Sequence, residues 1–434
     1  MRTLAQWLDH QMRVHPQSID LGLERIARVL ERLGFKRPSV PVITVAGTNG
    51  KGSVAATCAA VLAAAGKRVG LFTSPHLRDY RERILIDGAM VDESRLVQAF
   101  ERIEAARGDI SLTFFEFNTL AALLLFEQAR LDAWVLEIGM GGRLDAVNVI
   151  DPTVAVVVSI GLDHQEFLGS TLDLIAREKA GIFRRDVPAV LGSTGTERPA
   201  ALEQCAQAVG ARVKRLGEEF RFERDGSGWR FEGLRWHFDR LPKPALEGER
   251  QWSNAATALA ALEELPSVAD LDAATVARGL ANVRLPGRFQ VIEPQRAEEP
   301  TWILDVAHNP AAAAVLAQNL RARPTRGRTY AVCGILGDKD AAGVARALAE
   351  HIDAWWIAST DGPRGRDARA LRALIEPQLP ARAIVACAPD VAAACTAARA
   401  QASGADRIVV FGSFHVVGPA LDWLESRGVL RRQA

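Results

Sequence analysis

The sequence predicts an α/β protein with two successive domains, each built on a mostly parallel β-sheet covered by helices. First, short β-branched apolar runs alternate with amphipathic or alanine-rich segments along most of the chain, which is typical of βαβ units. Second, glycine-rich stretches follow several of these runs, as expected where a strand turns into a helix. Third, 434 residues exceed what one hydrophobic core usually holds, which favours two domains.

The first domain is expected to contain most of the strands. Its first strand, at 42–45, reads Val-Ile-Thr-Val and precedes an alanine-rich helix expected at 53–65. Aromatic and charged residues alternate at 220–241 around the turn sequence DGSG, which predicts a small antiparallel sheet. The remaining apolar runs predict strands at 68–72, 133–138, 154–160 and 189–191, and a helix at 254–265.

The polar stretch 293–300 (EPQRAEEP) predicts a linker, because two prolines and four charges fall in a segment without hydrophobic periodicity. The expected domains are therefore 1–292 and 301–434. In the second, strands expected at 301–306, 329–333, 354–358, 383–385 and 407–411 alternate with helices. This alternation predicts a smaller, doubly wound domain.

The composition argues against several classes of protein. Lys and Arg total 53 against 52 Asp and Glu, so the chain has no overall positive field for nucleic acid. The five cysteines are an odd number without C-x-x-C spacing, which argues against a disulfide framework and a structural zinc site. No apolar run reaches membrane-spanning length, and charges interrupt the N-terminal segment. We expect a cytoplasmic protein without a membrane partner.

The stretch 45–53 (VAGTNGKGS) predicts a phosphate-binding loop between the first strand and its helix. The usual form is G-x-x-x-x-G-K-[ST], whose final hydroxyl binds Mg²⁺, but Gly52 occupies that final position here. Backbone N–H groups at a helix N-terminus still form an anion site, and Lys51 can reach the outer phosphates. An ordinary glycine-rich turn is the alternative. A hydroxyl that binds the metal must then come from elsewhere.

Candidate metal ligands follow three successive strands. Ser74, Glu137 and His164 each stand at or just after a strand end, where open α/β sheets place their sites. Hydroxyl and carboxylate oxygens suit Mg²⁺, whereas imidazole is a less usual ligand for this ion. Each residue also has a structural alternative: a turn before Pro75, a buried ion pair, or a hydrogen-bonded structural histidine. Their common position favours a site.

A set of longer motifs then points to a known family. VAGTNGKGS, SPHL, LTFFEF, EIGMGGRLDAVN, LDH, REKAGI, LPGRF, LDVAHNP and GSFH occur in this order. The chain resembles the folylpolyglutamate synthase family over nearly its whole length, in particular the bacterial bifunctional dihydrofolate synthase/folylpolyglutamate synthases. This resemblance implies a Mur ligase-like enzyme with an N-terminal P-loop ATPase domain and a C-terminal Rossmann-like domain. It also implies that ATP drives the ligation of L-glutamate to dihydropteroate and to reduced folates through an acyl phosphate.

The resemblance also implies roles for individual residues. Matches to ATP-binding positions are Asn49, Gly50, Lys51, Gly52, Ser53, Asn254, Arg288 and Asp305. The implied metal ligands are Ser74, Glu137, His164 and a carbamylated Lys179, for two Mg²⁺ ions. Pterin-binding positions correspond to Asp20, Thr113, Asp145 and Ala146, and glutamate-binding positions to His308 and Ser413. Catalytic roles are implied for Lys51, Lys179, Asp305 and His308. For Asp20 a helix cap remains the structural alternative.

Three other functions remain open at this point. A Mur-type peptidoglycan ligase shares the loop and the mechanism, but it is expected to place a nucleotide-sugar domain before the loop. A P-loop regulatory protein would bind or hydrolyse the nucleotide regardless of pterin and glutamate. A degenerate binding protein would lack chemistry, although Lys51, Glu137, His164 and Asp305 are intact. The ligase is expected to be a monomer that uses only small-molecule substrates.

Overall fold

The computed structural model describes residues 2–226 and 228–430, and the chain divides into two compact units. The first unit comprises Met1–Ala245 and Trp252–Arg284, and the second comprises Leu246–Gln251 and Leu285–Ala434. Each unit contains its own β-sheet with helices. The predicted α/β class is therefore confirmed.

The first unit is built on an eight-stranded sheet. Its strands are β1 Val42–Ala46, β2 Val69–Phe72, β3 Ile84–Ile86, β4 Ala89–Met90, β5 Ala133–Glu137, β6 Val154–Val157, β7 Pro188–Leu191 and β8 Arg212–Arg215. The strand order is β4-β3-β2-β5-β1-β6-β7-β8, and all pairs are parallel except β2–β3 and β3–β4. Side chains alternate between two cores, with Val42 and Ala46 on one face of β1 and Ile43 and Val45 on the other. Both faces of this sheet are therefore covered.

Ten helices and a second sheet belong wholly or mainly to this unit in the described part of the chain. The helices are α1 Leu4–Val14, α2 Glu24–Arg32, α3 Lys51–Ala64, α4 Glu93–Arg107, α5 Phe114–Ala129, α6 Gln165–Leu168, α7 Leu172–Ala180, α8 Ala200–Val209, α9 Arg250–Leu262 and α10 Ala273–Asn282. The expected antiparallel excursion is a three-stranded sheet of β9 Arg221–Asp225, β10 Gly228–Glu232 and β11 His237–Pro242. Its buried aromatic residues pack in the same core as α9.

The second unit contains a six-stranded sheet in the order β12-β13-β17-β14-β15-β16. The strands are β12 Gln290–Ile292, β13 Thr301–Asp305, β14 Thr329–Cys333, β15 Ala354–Ala358, β16 Ile384–Ala388 and β17 Arg407–Phe411. The helices are α11 Pro310–Ala322, α12 Ala341–Leu348, α13 Ala368–Ile375, α14 Val391–Gln401 and α15 Phe414–Ser426. All strand pairs are parallel except β12–β13. This is the doubly wound pattern that the sequence predicts.

The structure differs from expectation at the predicted linker. Residues 293–300 connect β12 to β13, which pair as an antiparallel hairpin inside the second unit. Prolines and charges suit an exposed hairpin loop as well as a linker, and β12 is too short for a periodic signal. The first unit instead ends at Arg284. No helix in the described part of the chain is both long and apolar enough to cross a membrane.

Candidate functional site

The loop after β1 is shaped by two glycines with positive φ. Gly47 has φ 148°, and Gly50 has φ 88° at the N-cap of α3. A Cβ atom on Gly50 would lie 2.8 Å from Asn254 Oδ1 and 2.9 Å from Val158 Cγ1, so only glycine fits without displacing a neighbour. The close approach also places the predicted ATP-binding residue Asn254 beside the predicted phosphate loop.

The loop is held by the segment that follows β6. Thr48 Oγ1 accepts a hydrogen bond from Gly161 N at 2.9 Å and donates to Gly161 O at 3.1 Å. Ser159 Oγ accepts from Asn49 N at 3.0 Å and donates to Asn49 O at 2.9 Å. The strand expected at 154–160 ends at Val157, and Ser159 and Gly161 bind the loop instead. The sequence interpretation missed Ser159, because its contact partner lies 110 residues away.

Two lysines meet at one carbonyl oxygen of the loop. Lys51 Nζ donates to Gly47 O at 3.1 Å and to Thr48 O at 3.3 Å, and Lys179 Nζ donates to the same Gly47 O at 2.9 Å. Lys179 is only 4% exposed. Burial, together with the positive charge of Lys51, lowers the pKa of Lys179 to about 7. A substantial fraction of its amine is therefore neutral at neutral pH.

The glycines of EIGMGGR fix the end of α7, where Lys179 lies. A Cβ on Gly142 would lie 2.8 Å from the carbonyl oxygens of both Glu178 and Lys179. Arg143 N donates to Glu178 O at 2.8 Å, so the backbone of this loop caps the C-terminal turn of the helix. The close backbone approach therefore holds Lys179 at the phosphate loop.

Two of the candidate metal ligands, Ser74 and Glu137, lie at the ends of β2 and β5, whereas His164 lies seven residues beyond β6, at the N-cap of α6. Glu137, the last residue of β5, is 3% exposed, and its Oε2 accepts from Ser74 N at 3.1 Å. His164 has a left-handed backbone (φ 50°), and its N–H donates to Asp163 Oδ1 at 2.9 Å. Such a conformation costs energy for a non-glycine residue and is enriched at functional sites. No group of three or more His, Cys, Asp or Glu side chains forms a metal cluster in the described residues.

Two of the pterin candidates, Asp20 and Thr113, are connected through Arg25. Asp20 Oδ2 accepts from Arg25 Nη1 at 2.6 Å and from His15 Nε2 at 3.1 Å. Arg25 Nε also donates to Glu116 Oε1 at 3.1 Å, and Glu116 Oε2 accepts from Thr113 N at 2.7 Å. Asp20 caps no helix, since Leu23 is the N-cap of α2. The sequence interpretation gave Arg25 and Glu116 no site role.

The other two pterin candidates lie on the loop after β5. Asp145 is buried, and its two carboxylate oxygens accept from Met140 N at 2.8 Å and Val147 N at 3.0 Å. Burial raises the pKa of Asp145 to about 7, although these hydrogen bonds and Lys51 act in the opposite direction. Ala146 follows as the first residue of a short 3₁₀ helix, Ala146–Val149. The carboxyl group thus already orders the loop.

The second unit gathers its candidates at the carboxyl ends of β13 and β17. Asp305 ends β13, and its oxygens accept from Phe289 N at 2.9 Å and Ala307 N at 2.8 Å. Burial raises the pKa of Asp305, while the charge of Arg288 opposes this shift. Because Asp305 pairs in register with Phe411, its strand end adjoins the residues that follow β17.

Three further candidates of the second unit have defined environments. His308 Nδ1 donates to Val306 O at 2.8 Å, which leaves Nε2 with the lone pair in the neutral ring. Arg288 lies over the Phe414 ring, 5.3 Å from its centroid. Ser413 precedes α15 and is 4% exposed, and its hydroxyl has no hydrogen-bond partner among the described residues. A buried hydroxyl of this kind is a candidate ligand-binding group.

The two units define a class of protein when they are compared with family models. Residues 45–193 match the Mur ligase middle domain, and residues 287–414 match the Mur ligase glutamate ligase domain. The phosphate loop lies in the first match and Asp305 in the second. The chain therefore has the two catalytic modules of an ATP-dependent amide-forming ligase.

Individual relatives narrow this class. The dihydrofolate synthase/folylpolyglutamate synthase of Escherichia coli is 43% identical over 98% of this chain and 96% of its own length. The structure of E. coli FolC in complex with DHPP and ADP has a TM-score of 0.91 at 42% identity, covering 98% of this chain and 99% of that one. A bifunctional folylpolyglutamate synthase/dihydrofolate synthase with Mn, AMPPNP and L-glutamate bound has a TM-score of 0.88 at 43% identity, with 98% of both chains covered. The chain belongs to the dihydrofolate synthase/folylpolyglutamate synthase family.

Proposed function

We propose that this protein uses ATP to join L-glutamate to dihydropteroate, giving dihydrofolate, and to reduced folates, giving folylpolyglutamates. The observation that supports this most directly is the phosphate loop, where two lysines share the Gly47 carbonyl beside a sheet edge that ends in the buried Glu137. The E. coli relative with DHPP and ADP bound supports the choice of substrates.

The chemistry begins with a poor electrophile, because a carboxylate resists attack by an amine. The substrate carboxylate oxygen attacks the γ-phosphorus of ATP, ADP leaves, and an acyl phosphate forms. The neutral α-amine of glutamate then attacks the acyl carbon, and the tetrahedral intermediate loses a proton from this nitrogen and expels phosphate, leaving the amide. Lys51 and the N–H groups at the start of α3 stabilise the charge on the phosphoryl oxygens.

Ser74, Glu137 and His164 would hold a divalent cation. The chemistry of these donors fits such an ion, because Mg²⁺ and Mn²⁺ accept hydroxyl and carboxylate ligands, and oxygens of ATP would complete the set. Glu137 is buried at a strand end and oriented by the Ser74 N–H. When bound, the cation supplies positive charge that offsets the charge on the phosphoryl group.

Lys179 is proposed to be carbamylated and to serve a second Mg²⁺ ion. Its neutral amine would add to CO₂ with loss of a proton, and burial favours that neutral form. Two ammonium groups at one carbonyl oxygen repel each other, whereas a carbamate on Lys179 would be attracted to Lys51. The arrangement therefore supports an anionic Lys179 when ligands are bound.

We assign the other candidates by their positions. The proposed ATP contacts are Asn49, Gly50, Gly52, Ser53, Asn254, Arg288 and Asp305. The pterin would meet Asp20, Thr113, Asp145 and Ala146. His308 and Ser413 would contact glutamate or the transferring phosphoryl group. We further propose a cytoplasmic protein without nucleic-acid partners, which the balanced charge and five free cysteines support, and we propose that it is a monomer.

The test is ADP release by the purified protein with ATP and Mg²⁺. Dihydropteroate, tetrahydrofolate and a cell-wall precursor are assayed in parallel, each with and without its amino acid. We expect amide product and ADP with the first two substrates when glutamate is present. Turnover of the cell-wall precursor alone would indicate a peptidoglycan ligase, and ATP hydrolysis indifferent to all three would indicate a P-loop protein without ligase activity. Either result contradicts the proposal.

A further inference from the structure

Arg83 is a buried cation without an acidic partner. It is 7% exposed and ends the 3₁₀ helix Tyr80–Arg83, immediately before β3. Its Nε donates to His76 Nδ1 at 2.8 Å, but among the described residues its two terminal nitrogens have no hydrogen-bond acceptor and its guanidinium makes no ion pair. Arg81, in the same short helix, pairs with Asp79 at 2.7 Å. Buried arginines are rarely left unpaired.

The guanidinium of Arg83 is held in place on two sides. Its Cζ lies 5.5 Å from the centroid of the Phe114 ring and 5.8 Å from that of Tyr80, and His76 fixes Nε. Aromatic contacts and one hydrogen bond restrict the side chain but leave four of its five N–H groups to a ligand. A restrained guanidinium fork matches a carboxylate in two-point geometry.

The sheet places Arg83 between the pterin candidates and the metal candidates. Arg83 O accepts from Thr73 N at 3.0 Å, which puts the residue beside the end of β2 and next to Ser74. Its guanidinium also lies over the ring of Phe114, the residue after Thr113. The phosphate loop follows β1, two strands away from β2, or about 10 Å at the usual strand spacing. A substrate group that lies between the pterin and the γ-phosphate would therefore be nearer to Arg83 than the nucleotide is.

The charge of Arg83 sets the chemistry of that ligand. Burial lowers the pKa of Arg83, and Tyr80 and Glu137 oppose this shift, but an arginine remains charged at neutral pH. A buried charge without a partner is costly, and a bound anion removes that cost. Dihydropteroate has one carboxylate, on the p-aminobenzoate ring, and this is the group that must reach the γ-phosphate.

We propose that Arg83 binds the carboxylate of the acid substrate and orients it for phosphorylation. This inference rests on the proposed function and adds a substrate-binding residue to it. One carboxylate oxygen would accept hydrogen bonds from the terminal nitrogens of Arg83, while the other oxygen attacks the γ-phosphorus of ATP. The same contact would serve the terminal carboxylate of a reduced folate.

The test compares two ligands with Arg83→Met, which keeps much of the apolar stem. The ligands are dihydropteroate and the 7,8-dihydropterin that has aniline in place of p-aminobenzoate, so they differ only in the carboxylate. Affinity is measured by direct binding with Mg²⁺ and a non-hydrolysable ATP analogue. We expect dihydropteroate to bind about 10- to 100-fold more weakly to Arg83→Met, as for a lost charged hydrogen bond. The aniline analogue should change less than about twofold.

The matched control is Arg81→Met, which removes a neighbouring guanidinium that already has its own ion pair. It should leave both affinities unchanged, and Arg83→Met should retain its affinity for the ATP analogue. If Arg83→Met does not fold, Arg83→Lys gives the same comparison, with a smaller selective loss because the charge remains without the fork.

Two results would overturn the inference while leaving the function intact. An equal loss for both pterin ligands would make Arg83 a structural residue, and a selective loss for the ATP analogue would make it a phosphate contact. Failure of the unmodified protein to bind dihydropteroate at all would instead refute the proposed function, and the inference with it. The unmodified protein therefore separates the two kinds of failure.

Discussion

The sheet edges of the two units hold their candidate residues in different ways. In the first unit, the side-chain nitrogens of Lys51 and Lys179 meet at the loop after β1, and the buried Arg83 lies beside the end of β2. In the second unit, the carboxylate of Asp305 is fixed by two backbone N–H groups. The first edge therefore places basic side chains at the predicted phosphate loop, whereas Asp305 places a carboxylate at the second edge. Changes in the first unit should therefore affect chemistry most, and changes in the second should affect binding.

The largest effect is expected for Lys51→Ala. Removing the positive charge at the phosphoryl oxygens should lower kcat/KM by about 10³-fold, the scale of a lost electrostatic contact in a transition state. The fold should survive, because Lys51 lies at the start of α3 and its Nζ donates to the loop carbonyls of Gly47 and Thr48 rather than packing in a hydrophobic core. Steady-state kinetics and circular dichroism measure the two effects. Lys67→Ala, just beyond the other end of α3, is the control, and near wild-type turnover in folded Lys51→Ala would refute the phosphate-loop interpretation.

Lys179→Ala should have the next largest effect, a loss of about 10²-fold in kcat, as expected when an anionic metal ligand is removed. A short carboxylic acid in the assay should partly restore activity by occupying the position of the carbamate. Lys179→Arg should not be rescued, because its fixed positive charge occupies that space. Full activity of Lys179→Ala, with no added CO₂ mass on this residue in the unmodified protein, would show that the lysine is structural.

Ser74→Ala should raise the Mg²⁺ concentration required for half-maximal activity by about tenfold, because a metal ligand is lost. The measurement is initial rate against Mg²⁺ concentration at saturating ATP. Ser53→Ala is the comparison, since Ser53 directly follows Gly52 in the predicted phosphate loop. If Ser74→Ala leaves the Mg²⁺ dependence unchanged and Ser53→Ala shifts it, the metal hydroxyl belongs to Ser53.

Asp305→Asn tests the second unit. An amide has one acceptor oxygen, so either Phe289 N or Ala307 N loses its partner, and the negative charge beside Arg288 disappears. We expect the KM for ATP to rise about tenfold, with a smaller change in kcat. A larger effect on kcat than on KM would remove the distinction between the two sheet edges.

The last prediction concerns the dependence of stability on pH. The pKa of Lys179 is lowered to about 7, so the unfolded chain binds more protons than the native state above that pH. Burying the ammonium destabilises the native state fully below pH 7, and this cost declines as the pH rises toward the ordinary lysine pKa. In CO₂-free, metal-free buffer, Lys179→Met should therefore have a larger free energy of unfolding than the wild type at pH 6.5. Between pH 6.5 and pH 9.5 this advantage should shrink by an amount on the order of 2 kcal/mol. A pH-independent difference would contradict the shift.

The sequence predicts the long elements better than the short ones. Buried strands such as β1, β5 and β17 are continuous apolar runs, and their order along the chain makes parallel pairing predictable. The hairpin of β3 and β4 has five residues in strand conformation, too few for a periodic signal. The stretch 293–300 has the composition of a linker, and only the pairing of β12 with β13 reveals it as a hairpin loop.

Some residues of the candidate site can likewise be predicted from the sequence, and others cannot. Lys51, Ser74 and Glu137 follow recognisable strand–turn patterns, and parallel strands place such residues at one edge. Arg25, Ser159 and Arg83 have no local signal, because their significance depends on partners that the fold brings near. Arg25, for example, reaches Glu116, which is 91 residues away. Burial, which distinguishes Arg83 from Arg81, is likewise a property of the folded chain.

In the proposed reaction, the carboxylate of dihydropteroate becomes an acyl phosphate before glutamate attacks. The most direct test uses dihydropteroate labelled with ¹⁸O in both carboxylate oxygens, together with ATP, Mg²⁺ and L-glutamate. Because the attacking carboxylate oxygen leaves with the phosphate, we predict one ¹⁸O atom in inorganic phosphate for each dihydrofolate formed. Unlabelled phosphate alongside dihydrofolate would contradict the acyl-phosphate route, and absence of dihydrofolate would contradict the assigned activity.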